Sequence, residues 1–253
     1  MTKFNINKVL FCINLFSFVS SWFVVYNYRI GYLNIFFWIV ILINMHYMFT
    51  TVHQASHGLL SKNRFINYCY GFMASLFTGI TFADFKFTHD LHHIHIGTPE
   101  LDPDHKISGY GPVLLIPFKI FYHDYYFLKH NKKLLQFFSY FLQRVLQIII
   151  IITLFIDNIF LFTSFWLAQM LVIGIMNALF LFYFPHYTHW IERTKLNIRP
   201  LQSSIKMSRD YHHMHHDNPS ANNSFFPFET TIYGFFRPEY VSDYNSKRDY
   251  YYK

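Results

Sequence analysis

The stretch from His89 to His105, HDLHHIHIGTPELDPDH, gathers five histidines and three aspartates into seventeen positions. Two other clusters share its spacing: HQASH supplies His53 and His57, and HHMHH supplies His212, His215 and His216 beside His213. Positions i, i+3 and i+4 lie on one face of a helix, so His53 with His57, His89 with His92 and His93, and the third set each present their rings together. Imidazole is a good ligand for iron, zinc and copper, and eight rings are too many for one ion, so the spacing points to a pair of metals. Zinc hydrolases keep three protein ligands and a catalytic water; two fuller sets favour a redox metal, iron first. Asp90, Asp102, Asp104, Asp210 and Asp217 lie beside the clusters, where a carboxylate can accept the second N–H of a metal-bound ring and fix its tautomer. His46, His123 and His130 read as amphipathic side chains at a membrane interface. His213 falls one step off its cluster's face and reads as an orienting or structural residue, and His95 and His105 are ambiguous for the same reason.

The elements that must position these rings are apolar. Hydrophobic residues make up 53% of the 253 and charged ones 14%, well below the charge of an average soluble domain. The 32 phenylalanines and 20 tyrosines suit a lipid-facing surface with interfacial aromatics. Stretches of about 20 apolar residues can cross a bilayer: Val9 to Tyr26, Tyr32 to Phe49, and a long block from Val145 to Phe184 that holds two spans, turning at Asp157-Asn158 or Thr163-Ser164. The first stretch reads as an uncleaved span, because no small-x-small cleavage site follows Lys3, Lys8 and the apolar core. Phe65 to Phe82 is interrupted by Asn67, Gly71, Ser75, Thr78 and Gly79 and reads as a re-entrant or interfacial helix. Pro112 to Tyr122 reads as a segment lying along the surface.

With four spans in two hairpins and both termini cytoplasmic, Arg29 is the single outside residue among 21 lysines and arginines, as the positive-inside rule requires. All three histidine clusters then lie on the cytoplasmic side. The expected fold is an all-α integral membrane protein, one domain over residues 1–253, with about four transmembrane helices, interfacial helices and a histidine-rich di-metal site. The net charge of +7 follows from this topology; no basic stripe interleaved with aromatics suggests nucleic acid. Cys12 and Cys69 lie in apolar runs without partner spacing, which argues against a disulfide framework or a cysteine-ligated metal.

The ordered set HxxxH, HxxHH, HxxHH between apolar pairs resembles the membrane fatty acid desaturase superfamily of di-iron oxygenases, from about His53 to Pro219. In detail HQASHG, HDLHHIHIGTPELDPD, FPHYTH and YHHMHHDNP are similar to the bacterial β-carotene ketolases. The chain departs from them after the third box, where it reads SANNSFFPFETTIYGFF, and after His186, where it reads YTHWIERTKLNIRP. The resemblance implies two irons held by His53, His57, His89, His92, His93, His212, His215 and His216, with His186 a further ligand and His189 a weaker candidate. It also implies use of O2 to oxidise an unactivated C–H position of a lipid, by acyl desaturation or hydroxylation or by carotenoid ketolation or hydroxylation. No catalytic side chain beyond the metal ligands is expected, since none can act as acid or base on a saturated carbon. Electrons come from a separate ferredoxin or cytochrome, as no flavin or nicotinamide fingerprint is present; the loop at Lys129, Lys132 and Lys133 suits either that donor or anionic lipid. Phe72, Phe77, Phe82, Phe85 and Phe87 suit a substrate tunnel or ordinary packing. A histidine-rich metal transporter is the alternative, and it requires ionisable ligands midway through the spans; a non-catalytic scaffold is disfavoured by the intact eight-histidine set.

Overall fold

A computed structural model describes residues 6–28, 33–96, 98, 100–108 and 121–177, and within them every regular element is helical. Helix α1 (Ile6–Tyr28) packs against α2 (Leu33–Ser56), and α2 against α3 (Arg64–Ser75). Then follow α4 (Phe82–His95), α5 (Pro103–Ser108), α6 (Phe121–His130) and α7 (Leu134–Phe155). A short α8 (Ile159–Leu161) leads through a π-helical segment, Phe162–Leu167, into α9 (Ala168–Asn177). By contacts the chain divides into two compact units, Met1–Leu91 with His123–Ile173, and His92–Tyr122 with Gly174–Lys253.

Two helices are long and apolar enough to cross a bilayer, within α2 at Asn34–Ser56 and at α7; α1 contains a shorter apolar stretch, Phe11–Asn27. In the first unit Phe18 and Val25 of α1 bury against Ile41 and Met45 of α2, with Phe155 and Ile173 closing the cluster. Asn44 donates across the α1–α2 contact to Ser17 Oγ at 3.0 Å. Arg29 lies outside the described residues, as does nearly all of the expected surface segment Pro112–Tyr122.

The interrupted stretch breaks as its polar residues predict. Helix α3 has 12 residues, about 18 Å of rise, too short to cross a hydrocarbon layer of about 30 Å. The buried chain then turns at Gly79, which has φ +74° and no room for a Cβ against Met170, and enters α4 at Phe82. Such a turn leaves backbone groups needing partners where water is scarce. Those partners come from α7, through a stripe that sequence reading missed. Gln143 accepts from Phe82 N–H at 2.7 Å and donates to the Phe72 carbonyl at 2.8 Å and to Ser75 Oγ. Gln147 donates to the Ser75 and Ile80 carbonyls at 3.0 and 2.7 Å, and Arg144 to the Gly79 carbonyl at 2.7 Å.

The third apolar block therefore begins at Leu134 rather than Val145. Gln143 and Arg144 look like a span's end but lie inside the helix, one face of which is hydrogen-bonded while Leu135, Phe138, Ile148 and Ile152 stay exposed on the other. Arg144 consequently leaves the count of inside cations: it sits within α7, ion-paired to Asp124, with Asp84 at 3.9 Å. Burial and the Asp124 carboxylate push Asp84 up to about 7, against the pull of the guanidinium. The chain turns after α7 at Ile156-Asp157-Asn158, the first of the two expected positions, whereas Thr163 lies within the π-helical segment.

Candidate metal centre

The first cluster sits at the end of α2, and the helix stops there for a clear reason. Gly58 adopts φ +76°, its N–H donates to the Ala55 carbonyl (3.0 Å), and Leu59 N–H donates to the Gln54 carbonyl (3.1 Å). This pair of bonds is a Schellman C-cap, which favours glycine at the left-handed position. A Cβ on Gly58 would meet nothing within 4 Å, so Gly58→Ala should cost only the left-handed strain, about 1–2 kcal/mol, seen as a lower Tm in thermal unfolding. An unchanged Tm would show that the cap contributes nothing.

Two further contacts hold this end of α2. Asn67 of α3 donates to the Ala55 carbonyl at 2.6 Å and accepts from Leu60 and Ser61 N–H at 3.1 and 3.3 Å. Lys86 of α4 donates to the Ser56 carbonyl at 2.7 Å and pairs with Asp90 at 2.9 Å, a cation placed where the helix dipole favours one. Asp90 thus pairs with Lys86 at an exposed site, and among the described residues it orients no histidine.

With the helix ends fixed, His53 and His57 of α2 meet His89 of α4. Ring centroids are 4.8 Å apart for His53–His89 and His57–His89, and the Nε2 atoms of His57 and His89 are 2.9 Å apart. Phe85 stacks on His89 at 5.1 Å and packs in turn on Phe49. One ring nitrogen from each of the three lies within 4.8 Å of the others, a donor set able to hold one ion of the imidazole-preferring kind.

The second unit carries its own group. His92 is 1% exposed, and its Nδ1 lies 2.8 Å from Asp102 Oδ1 and 3.6 Å from Asp104 Oδ2. The sequence Asp-Pro-Asp explains the carboxylate's position: Asp102 Oδ1 also accepts from Asp104 N–H at 2.9 Å, capping α5, and Pro103 occupies the first helical position, which favours proline. A carboxylate can only accept, so Nδ1 is the donor in this bond, the arrangement expected of a metal-binding histidine with an orienting partner. Burial lowers the His92 pKa, but Asp104 and Asp102 outweigh it and the net direction is upward. Burial, helped by repulsion from His92, lowers His93 to about 4, so its imidazole is neutral at physiological pH, as a ligand must be.

His186, His189, His212, His213, His215, His216, Asp210 and Asp217 lie outside the described residues. His46 and His123 are each 6% exposed, buried among their neighbours and not the exposed amphipathic side chains expected; His130 stacks on Tyr126 at 4.3 Å. The aromatics follow the packing reading: Phe82 is fully buried, Phe77 meets Phe18, and Phe87 meets Phe127.

Two helices of membrane length, the first carrying His53 and leading to His57, which meet His89 of α4, fit a membrane protein with side chains able to hold a metal. A model of the fatty acid desaturase family matches residues 30–228, and the chain belongs to that family, whose members are lipid-acting oxidoreductases. No curated protein matches the chain, and no solved structure does.

Proposed function

We propose that the protein is a multi-pass, single-domain membrane oxygenase that uses O2 to oxidise an unactivated C–H position of a lipid, with both termini and the histidine clusters on the cytoplasmic side. Its substrate is an acyl chain, desaturated or hydroxylated, or a carotenoid, ketolated or hydroxylated. The observation that carries this reading is the meeting of His53, His57 and His89, drawn from two helices, in a protein of the desaturase family. His92, His93, His186, His212, His215 and His216 complete the ligand set, and Asp102, Asp104, Asp210 and Asp217 orient the rings. The donors fit iron: imidazoles with carboxylate support and no thiolate. Two irons, when bound, supply the oxidising power for C–H cleavage, with electrons from a ferredoxin or cytochrome. The chain's own part is to hold the ligand rings in one tautomer, to keep water from them, and to position one methylene group.

Metal transport, the alternative, needs ionisable groups along the middle of the spans. Arg144, the charged residue within α7, is instead consumed by Asp124 and the Gly79 carbonyl. Purified protein should contain about two irons per chain, and His92→Ala should lose iron and activity while still inserting in the membrane. Expression in a bacterial host that makes β-carotene, with pigments and fatty acids both profiled, separates the branches: a keto- or hydroxy-carotenoid marks one, a new double bond or hydroxyl in acyl chains the other. Iron-loaded protein that, supplied with electrons, yields none of these products would refute the reading.

A further inference from the structure

Each helix of the first histidine group carries a phenylalanine one turn before its histidine. Phe49 precedes His53 on α2, and Phe85 precedes His89 on α4. Residues four apart share a helix face, and the two phenylalanines meet each other edge to face at 5.4 Å and 78°. Both are buried, Phe49 at 2% exposure and Phe85 at 5%. The Phe85 ring lies 17° from the plane of His89 and reaches His53 at 6.4 Å and 66°.

The three imidazoles are turned edge to face among themselves, with interplanar angles of 78°, 63° and 65°. An imidazole binds a metal through a lone pair in its own plane, so turning the ring swings that lone pair away from the common point. Asp102 sets the ring of His92 in the second unit. At His89 the flat contact is an aromatic one, and it restrains rotation because tilting either ring breaks the stack. Aromatic pairs of this kind are worth about two- to tenfold in an equilibrium constant beyond the area they bury.

We infer that Phe49 and Phe85 are positioning residues of the first histidine group, which set the ring planes of His89 and His53 before a metal arrives and shut water out on that side. The inference rests on the oxygenase reading for the role of the metal, and on ring geometry for the restraint. Apolar rings can neither ligate nor move a proton, so their task is orientation.

The test is diethyl pyrocarbonate modification of the metal-free full chain in neutral detergent, read histidine by histidine by mass spectrometry, beside cobalt(II) titration of the same protein. Phe85→Leu keeps an apolar side chain and loses the flat face. Its His89 and His53 should react several-fold faster than in the native chain, while the buried His46 and His123 keep their native rates. Cobalt affinity should fall about two- to tenfold. Phe49→Leu, which removes the ring packed on Phe85, should move both readouts the same way by less. Phe127→Leu makes the same change at a fully buried ring stacked on Tyr140 and should leave both at native values. Native reactivity of His89 with native cobalt affinity in Phe85→Leu would overturn the proposal. So would equal losses in Phe127→Leu, or faster reaction at all four histidines, the mark of a general loosening. Reactivity is read without metal, so a native chain that binds neither cobalt nor iron loses the oxygenase reading while the ring restraint is still decided by the labelling.

Discussion

Gln143→Leu should strip the protein of most of its iron, although Gln143 touches no metal ligand. The substitution removes the acceptor of Phe82 N–H and the donor to the Phe72 carbonyl and Ser75 Oγ, all at a side chain with no exposure. Ser75 Oγ still donates to the Phe72 carbonyl, so Phe82 N–H is the group deprived of its partner, and a buried polar group so deprived costs about 1–3 kcal/mol. That is a large fraction of a domain's stability, and it falls on the turn from which α4 carries His89 toward His53 and His57. Thermal unfolding and metal analysis on the same sample check it. Gln143→Glu, which keeps an acceptor for Phe82 N–H, should recover part of both signals, which a general intolerance of the position would not allow. Native Tm and full iron in Gln143→Leu would show that the α7 stripe is incidental.

The second large effect is expected at Asp102, whose single Oδ1 serves His92 Nδ1 and Asp104 N–H together. Asp102→Asn can still cap α5 but brings no charge to the imidazole, and metal affinity should fall about 10–100-fold. Asp102→Ala loses the cap as well, about 1 kcal/mol, and leaves the buried Nδ1–H of His92 without this acceptor, so its iron content should be lower still. Titration with ferrous iron, read by metal content and by helicity in circular dichroism, separates loss of ligation from loss of fold. Equal affinity in the native protein and Asp102→Asn would dismiss the orienting role.

The histidine boxes were legible because their chemistry is carried by spacing alone. His53, His57 and His89 need only two helices and a stop at Gly58 to come together, and HQASHG contains the stop. DPD was legible as a carboxylate near the second box, though the reason for its proline, the first position of α5, needed coordinates. The interruption of Phe65–Phe82 was readable from Gly79 and its polar neighbours. What satisfies that interruption was not. Gln143, Arg144 and Gln147 look in one dimension like the frayed edge of a span, because nothing local reveals that a distant turn needs donors and an acceptor at that depth. His46 and His123 were misread in a related way: a histidine in an apolar run is interfacial or interior depending on which neighbours its helix meets, and those neighbours are distant in sequence.

The hydrogen-bonded stripe of α7 also bears on biogenesis. The hairpin made by α3 and α4 leaves the ribosome before α7 exists, with several of its carbonyls still needing the glutamines and arginine that follow 65 to 71 residues later. Until then it is better solvated at the headgroup level than in the hydrocarbon, and α7, with a guanidinium at its centre, is itself a poor candidate for solitary insertion. The two must enter together, so the nascent chain acquires its buried hairpin as a late, paired event, not by threading one helix after another.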